Sequence, residues 1–361
     1  MKKLKIARVC SIVLSLILVL LTFPAQAAGE TADEATTALS GAGTAADAAV
    51  FLRSLAFGTF RGEQTAAYDF TGNGEADGTD ARAILFYACG GVTDWAAFAA
   101  RVSSGICDES LFDHFSYTGT RDDRNGNYQS ENVSVTILEG RVSNSDYFLA
   151  DIYIQDIACF VTAFGNGEFM GDSQTVRTIF DEIPGGIVAM NGDYYSNNLY
   201  GPVIRNGQSY LSRVSGYWDI AVLDGSGALT VFPYGKLKKA ALKEMDPYQT
   251  WVFGPALLDE NGKAKRNFRS KVLPHNPRSV LGYYEPGHFA FLLVDGRSST
   301  CDGITMADLS EFCEALEFTS AYNLDGGQSS ILVSQSGAID NPFRGGRPVS
   351  DILAIRELPE G

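Results

Sequence analysis

Apolar and polar positions alternate along much of the chain beyond residue 110, which is the pattern of half-buried β-strands. Such runs lie at 133–138, 148–157 and 287–294, and residues 219–232 predict a hairpin around an Asp-Gly turn. Helical patterns occupy residues 173–183 and the stretch after Thr305, where a Thr and an Asp three residues apart form a capping box. Strands therefore dominate, and we predict an α+β domain with a mixed β-sheet and inserted helices.

The first 27 residues have a different pattern. Four basic residues between positions 2 and 8 precede an apolar run over 9–23, and Ala-Gln-Ala follows at 25–27. This order is typical of a secretory signal peptide, and the run is short for a membrane span. We predict that residues 1–27 are removed and that the mature protein, without a membrane span, works outside the cell or at its surface. An uncleaved N-terminal anchor is the alternative.

The composition of the chain argues against several classes of function. The chain has 361 residues, which favours two domains, and 28 basic against 43 acidic residues give a formal net charge of −15. This acidity disfavours a nucleic-acid backbone as partner and a polybasic membrane patch. The six cysteines leave an odd five once Cys10 departs with the signal peptide, and none has metal-ligand spacing. With only three histidines in the chain, a zinc site is not expected.

Residues 69–80 form a candidate calcium loop followed at once by a helical stretch. Gly74 lies where a calcium loop turns sharply, and oxygen-bearing side chains recur around it. Calcium takes six to eight oxygen ligands, which suits this spacing. The candidate ligands are Asp69, Thr71, Asn73, Glu75, Asp77 and Asp80.

This loop and its helix resemble one half of a dockerin, a module built from two loop-helix repeats. The other half, from residue 36 onward, lacks the carboxylates at the ligand positions. The resemblance implies that residues 28–100 form a small helical EF-hand or dockerin-like module with a degenerate first repeat. It also implies Ca²⁺ in the second loop and a cohesin-bearing scaffold protein as partner. The alternative is an Asp- and Gly-rich surface turn that binds no ion.

Within the larger domain, residues 101–361, three stretches place polar side chains beside glycine at expected strand ends. They are Asn-Gly-Asp-Tyr-Tyr at 191–195, Arg-Ser-Val-Leu-Gly at 278–282 with Asp-Gly at 295–296, and Asn-Leu-Asp-Gly-Gly-Gln-Ser at 323–329. Glycine lets the backbone approach a ligand closely, and loops at strand ends commonly carry function. Each stretch alone also fits a hairpin turn. Together they predict one pocket.

In this order the motifs resemble those of the phosphodiester glycosidase family, as does a closing Arg-Pro-Val-Ser at 347–350. The resemblance covers about residues 133–356. Gln328 departs from it, because the family usually has a third glycine there. The resemblance implies an enzyme, a hydrolase that cleaves the glycosidic bond of a sugar-1-phosphodiester and releases the sugar and a phosphomonoester. Its substrate would be a phosphodiester-linked glycan.

Such a cleavage needs a cation that holds the phosphate and a carboxylate that assists at the anomeric carbon. The candidate catalytic residues are Asp325, Asp295 and Asp193, and the candidate substrate-binding residues are Arg278, Arg347, Asn191, Asn323, Gly326, Gly327 and Ser329. No cofactor is assigned to the pocket itself. Two other functions stay open, a non-catalytic extracellular glycan-binding protein on the same fold and a phosphodiesterase that cuts the P–O bond.

Overall fold

The computed structural model describes residues 105–358 apart from residues 198, 200 and 215. The signal peptide, the dockerin-like module and its six candidate calcium ligands therefore lie outside the described residues. The helices are α1 (Val176–Phe180), α2 (Lys239–Glu244) and α3 (Met306–Ala315). The strands are β1 (Arg121–Asp122), β2 (Tyr128–Gln129), β3 (Val133–Val142), β4 (Ser145–Ile154), β5 (Phe160–Phe164), β6 (Gly186–Asn191), β7 (Val203–Arg205), β8 (Gln208–Leu211), β9 (Ile220–Asp224), β10 (Leu229–Phe232), β11 (Pro247–Trp251), β12 (Arg278–Glu285), β13 (His288–Val294), β14 (Ser320–Asn323), β15 (Leu332–Ser334), β16 (Gly337–Ala338) and β17 (Asp351–Arg356).

Two larger sheets make up most of the domain. One has seven strands in the order β1-β2-β3-β4-β13-β12-β14, and the other has five in the order β16-β15-β6-β17-β5. Smaller sheets are formed by β10-β9-β11 and by β7-β8. The strand-rich α+β prediction is confirmed, but the predicted mixed sheet is wrong. The pairings between the described strands are antiparallel, because short turns join neighbours such as β3 and β4 directly and no helix crosses over between them.

The main core lies between the two larger sheets. Phe289 and Phe291 of β13 share one buried cluster with Met190 of β6 and Leu353 of β17. Phe160 of β5 packs edge-on against both phenylalanines, with ring centroids 5.4 and 5.7 Å apart. On its other face the seven-stranded sheet is covered by α3, whose apolar side joins a second cluster with β12 and β13. The central strands β12 and β13 of the seven-stranded sheet are therefore buried on both faces.

Local sequence signals account for two of the element boundaries. Thr305 caps α3 by accepting the Asp308 N–H at 3.1 Å, as the capping box predicts. Helix α1 is shorter than the predicted 173–183, because Gln174 is held extended in a bridge to Val349 and Thr175 then caps the helix. In the described part of the chain, no helix combines the length and apolarity needed to cross a membrane.

Candidate active site

Two of the three predicted stretches, with the ends of β12, β13 and β14, meet at the backbone of Pro277, the residue before β12. The Gly327 N–H donates to the Pro277 carbonyl at 2.9 Å. A Cβ on Gly326 would lie 2.8 Å from the same oxygen, and a Cβ on Gly296 would lie 2.9 Å from the Pro277 nitrogen. Both contacts are too close for any residue but glycine. The glycines thus allow the ends of β12, β13 and β14 to pack together.

Asn191 joins the end of β6 to the same place. Its Nδ2 donates to the Asp325 carbonyl at 2.7 Å, and its Oδ1 accepts the Ser279 hydroxyl at 2.7 Å and the Ile331 N–H at 3.3 Å. The side chain is fully buried. Both ends of the Asn191 amide therefore hold the corners together, and its predicted contact with the substrate stays a prediction.

Asp325 and Arg347 form an ion pair at the surface of this junction. Asp325 Oδ2 accepts from Arg347 Nη2 at 2.7 Å, and its Oδ1 accepts the N–H of Gly326. Arg347 Nε donates to the buried Ser329 hydroxyl at 2.5 Å, and its guanidinium carbon lies 5.1 Å from the ring centre of Tyr194. The Arg347 side chain is 38% exposed against 11% for Asp325. The Arg347 guanidinium thus reaches solvent next to the Asp325 carboxylate, whose position is fixed by its hydrogen bonds.

Two further guanidinium groups flank the ring of Phe343. The carbon of the Arg297 guanidinium lies 5.5 Å from the ring centre and that of Arg344 lies 5.1 Å from it. Arg297 also donates twice to Asn276 Oδ1, and a Cβ on Gly327 would lie 3.0 Å from its Nη2. Both arginines are exposed. The site residues predicted from the sequence did not include these two arginines. The one sequence signal for Arg297 was its position directly after the Asp-Gly motif.

Gln328 links the two loops that carry these groups. Its Nε2 donates to the Gly346 carbonyl at 2.9 Å, in the turn between Arg344 and Arg347. A glycine at 328 would lack this side chain and its hydrogen bond. The departure from the family pattern therefore adds a contact that holds the arginine-bearing loop.

Asp295, at the end of β13, is buried next to the same loop. Its Oδ2 accepts from the backbone N–H and the side-chain amide of Asn341, each at 3.3 Å. Burial raises the pKa of Asp295 to about 6, and the nearby Asp146 carboxylate adds to the rise. The loop 340–350 therefore contacts both predicted catalytic acids, Asp295 through Asn341 and Asp325 through Arg347.

Asp146, Asp295 and Cys301 have ligand atoms within 4.8 Å of one another, a spacing that could hold a small cation. The Cys301 thiol donates to Asp146 Oδ2 at 3.4 Å. We assign no metal to this group.

Asp193 lies in the interior of the domain. It is 1% exposed, its Oδ1 is 3.1 Å from Arg205 Nη2, and its Oδ2 accepts the Val252 N–H at 2.7 Å. Arg205 also binds Asp351 at 2.8 Å. Burial raises the pKa of Asp193, and it raises that of Asp351 to about 7. Asp193 thus belongs to a buried ion triad, and its catalytic role stays a prediction.

Arg278 is buried as well. Its Nε donates to the Ile304 carbonyl at 3.2 Å and its Nη2 to the Pro274 carbonyl at 2.5 Å. Burial, with a contribution from Arg297, lowers the pKa of Arg278 to about 10. The side chain thus connects two neighbouring segments to the start of β12, and its predicted contact with a phosphate stays a prediction.

The three remaining candidate residues make hydrogen bonds within the protein. Asn323 donates to the Gly254 carbonyl at 2.8 Å, while its buried Oδ1 has no partner in the described region. The Gly326 and Gly327 N–H groups, expected to bind substrate, donate instead to Asp325 Oδ1 and the Pro277 carbonyl. The guanidinium groups of this site that reach solvent in the described residues are those of Arg297, Arg344 and Arg347.

Comparisons with known proteins show which sequences and folds this chain is similar to. Residues 184–356, just under half of the chain, match the family model described as phosphodiester glycosidase. The catalytic domain of zebrafish N-acetylglucosamine-1-phosphodiester alpha-N-acetylglucosaminidase, a structure auto-inhibited by its pro-peptide, is similar with a TM-score of 0.50 and 19% identity, over 63% of this chain and 83% of that one. A hypothetical protein from Synechocystis has a TM-score of 0.44 and 14% identity, over 62% of each chain.

A curated relative is the uncharacterized SPbeta prophage-derived protein YomE of Bacillus subtilis strain 168. It is 27% identical over 182 residues, which is 47% of this chain and 28% of the relative. The match thus spans little more than a quarter of that protein. The site residues from Asn191 to Arg347 fall inside the family match, and the fold is similar to that of a phosphodiester glycosidase catalytic domain. Together these findings support a relation of residues 184–356 to the phosphodiester glycosidase family.

Proposed function

We propose that this chain is a secreted hydrolase that cleaves the bond between the anomeric carbon of a sugar and the oxygen of a phosphodiester. The sugar and a phosphomonoester are the products. The observation that carries the proposal is the Asp325–Arg347 pair, with 2.7 Å between carboxylate and guanidinium. It sets an anion and an exposed cation side by side, and the two ends of a glycosyl phosphate need these two charges.

Arg347 is the group that meets the phosphate. A guanidinium offers a planar fork of donors and stays charged, which suits phosphate oxygens. Ser329 and Asp325 fix its orientation, and Gln328 holds the turn behind it. Arg297 joins it in binding the phosphate, because it is exposed and lies against Gly327.

Asp325 then lies next to the anomeric carbon, where positive charge develops as the C–O bond breaks. Water attacks this carbon, and Asp295 accepts the proton that water loses. The electron pair of the broken bond stays on the phosphate oxygen, so the leaving group is the phosphomonoester. A carboxyl with a pKa of about 6 is mostly ionised near neutral pH and can serve as that base.

The rings of Tyr194 and Phe343 complete the site. Each has a guanidinium about 5 Å from its centre and is partly exposed. Sugar rings stack on such aromatic faces through their C–H groups. We expect the sugar beside one of these rings and the phosphate among the arginines.

The test is turnover of a small sugar-1-phosphodiester, such as N-acetylglucosamine 1-(methyl phosphate), by the full chain and by Asp325→Asn. The variant should lose activity by about a thousandfold or more while keeping its structure. Asp302→Asn, an exposed acid in the loop after β13, is the matched control and should retain activity. Near-normal turnover by Asp325→Asn would contradict the assignment.

For the N-terminal part we also propose a dockerin-like calcium module that attaches the enzyme to a cohesin-bearing partner. The proposal comes from the sequence of residues 69–80. Calorimetric titration of the full chain with Ca²⁺ should give a site that is lost in an Asp69→Ala, Asp77→Ala double variant. Unchanged calcium binding in that variant would refute the loop as the site.

A further inference from the structure

A basic stretch interrupts the acidic chain just before β12. Residues 263–278 contain six Lys or Arg and no Asp or Glu, in a protein whose formal net charge is −15. Lys263, Lys265 and Arg266 are paired with acids of neighbouring segments. Arg269 and Lys271 are exposed and make no ion pair within the described part of the chain. Their charges therefore remain available to an outside anion.

Arg269 lies between two exposed tyrosines. Its guanidinium carbon is 4.8 Å from the ring centre of Tyr234 and 5.9 Å from that of Tyr217. The tyrosines are 52% and 71% exposed, which is high for large aromatic side chains. Together with Phe253 and Ser270 they line a surface concavity. We call this group the basic-aromatic groove.

The negative charge of Asp219, the acid that lines the groove, is already balanced by neighbouring groups. Asp219 accepts the backbone N–H groups of Tyr234 and Ala256, both at 2.9 Å, and its carboxylate lies 3.7 Å from the Lys265 ammonium. The lysines of the neighbouring turn, Lys236 and Lys238, are exposed. The local field at the groove is therefore positive, in contrast to the chain as a whole.

The groove borders the strand that leads into the candidate active site. Gly254, which lines the groove, accepts the Asn323 side-chain amide at 2.8 Å, two residues before Asp325. In the other direction, seven residues connect Arg269 to Asn276, which binds Arg297. A stretch of that length spans at most about 25 Å. A chain-like substrate cleaved at Asp325 can therefore reach the groove.

We infer that the basic-aromatic groove binds a distal part of a phosphodiester-linked glycan, with sugar rings on Tyr217 and Tyr234 and a phosphate on Arg269. The inference rests on the proposed function and specifies its substrate as a polymer of sugar phosphates. Aromatic faces suit sugars and a guanidinium suits phosphate, and this groove offers the two side by side. It also explains how an acidic protein approaches a polyanion, since contact begins at a locally basic surface.

The experiment compares a polymeric and a small ligand. The polymer is poly(N-acetylglucosamine 1-phosphate), and the small ligand is N-acetylglucosamine 1-(methyl phosphate). Polymer binding to the full chain is measured by calorimetry, which needs no turnover, and KM is measured for the methyl diester. The test variant is the Arg269→Ala, Tyr234→Ala pair. The matched control, Arg266→Ala, removes the same charge from the same segment at a site paired with Glu311.

The test variant should bind the polymer about tenfold more weakly, while its KM for the methyl diester stays within about twofold of the wild type. The control should bind the polymer like the wild type. Equal polymer affinity of test variant and control would overturn the inference. Binding of inorganic polyphosphate as tight as that of the sugar polymer would also overturn it, because charge alone would then explain the contact. Failure of the wild type to cleave the methyl diester would count against the proposed function, and the binding comparison would still test the groove.

Discussion

Replacing Arg205 with methionine should destabilise the domain strongly. Arg205 is buried, and its guanidinium contacts the carboxylates of both Asp193 and Asp351. Methionine has a similar length and no charge, so the variant keeps the volume but leaves two buried acids without a counter-ion. The backbone carbonyl of Asp351 also accepts the Gly192 N–H, so this triad residue lies beside the corner next to Asn191.

The size of the effect follows from these contacts. Removing one partner of a buried ion pair costs about 3–5 kcal/mol. The carbonyls of Ile204 and Thr250 lose a donor as well, at about 1–3 kcal/mol for each acceptor left unsatisfied. Protonation of the two acids recovers part of this cost. We therefore expect a loss of about 4 kcal/mol in the free energy of unfolding near neutral pH.

The loss should grow with pH. Without Arg205, burial raises the pKa of Asp193 and Asp351 further, so the native state holds protons that the unfolded state releases. Stability then falls as pH rises from the ordinary carboxyl range toward the raised values, by up to about 1.4 kcal/mol per pH unit for each such proton. The deficit relative to the wild type should thus be smaller in mild acid than in mild base.

Urea unfolding followed by tryptophan fluorescence measures this loss, because Trp251 is buried next to Thr250. Arg266→Met is the control, since its ion pair with Glu311 is 81% and 55% exposed and should contribute at most about 1 kcal/mol. A loss below about 1 kcal/mol for Arg205→Met would refute the structural role of the triad.

Three further outcomes are expected. Asp325→Asn should keep the urea midpoint of the wild type while losing turnover, and a lowered midpoint would mark Asp325 as structural. With Asp295 as base, kcat/KM should rise with pH through about 6, and Asp295→Asn should remove this inflection; an unchanged profile would exclude Asp295 as that base. Gly192→Ala should lower stability by about 2 kcal/mol or more in urea unfolding, because its Cβ would overlap the Asp351 carboxylate, and a neutral effect would contradict that contact.

The sequence predicted the corners because their signals are local. A polar residue followed by glycine at the end of an apolar run needs no knowledge of the rest of the chain. The contacts of Gly296, Gly326 and Gly327 with Pro277 bring two of the three stretches together. The strand-rich fold is likewise visible in the alternation of apolar residues. The direction of pairing is not, which is why the mixed sheet was expected in error.

The roles of individual side chains depend on which face of a strand they occupy. In β12, Val280 packs toward α3 and Leu281 toward the other large sheet. Neighbouring side chains point to opposite faces, so Arg278 lies on the α3 side, away from Asn191, while Ser279 contacts Asn191. The sequence motif contains both residues but does not indicate which face of the strand each side chain occupies. The prediction that Arg278 contacts the substrate was made without that information.

The sequence also does not show which charged side chains are buried. Asp193 and Asp325 stand in similar glycine-rich motifs, and both were proposed as catalytic acids. Asp193 is buried with Arg205, which also pairs with Asp351 from the far end of the chain, whereas Asp325 is paired with an arginine that extends into solvent. Long-range ion pairs of this kind follow from the fold and from no local spacing.

The central claim is that the Asp325–Arg347 site breaks the bond at the sugar carbon. Hydrolysis of N-acetylglucosamine 1-(methyl phosphate) in heavy-oxygen water, followed by mass spectrometry of both products, tests it directly. Heavy oxygen in the released sugar and none in methyl phosphate is the predicted result, because water attacks carbon. Heavy oxygen in the phosphate product would mean that the P–O bond is cut, and would contradict the proposed mechanism.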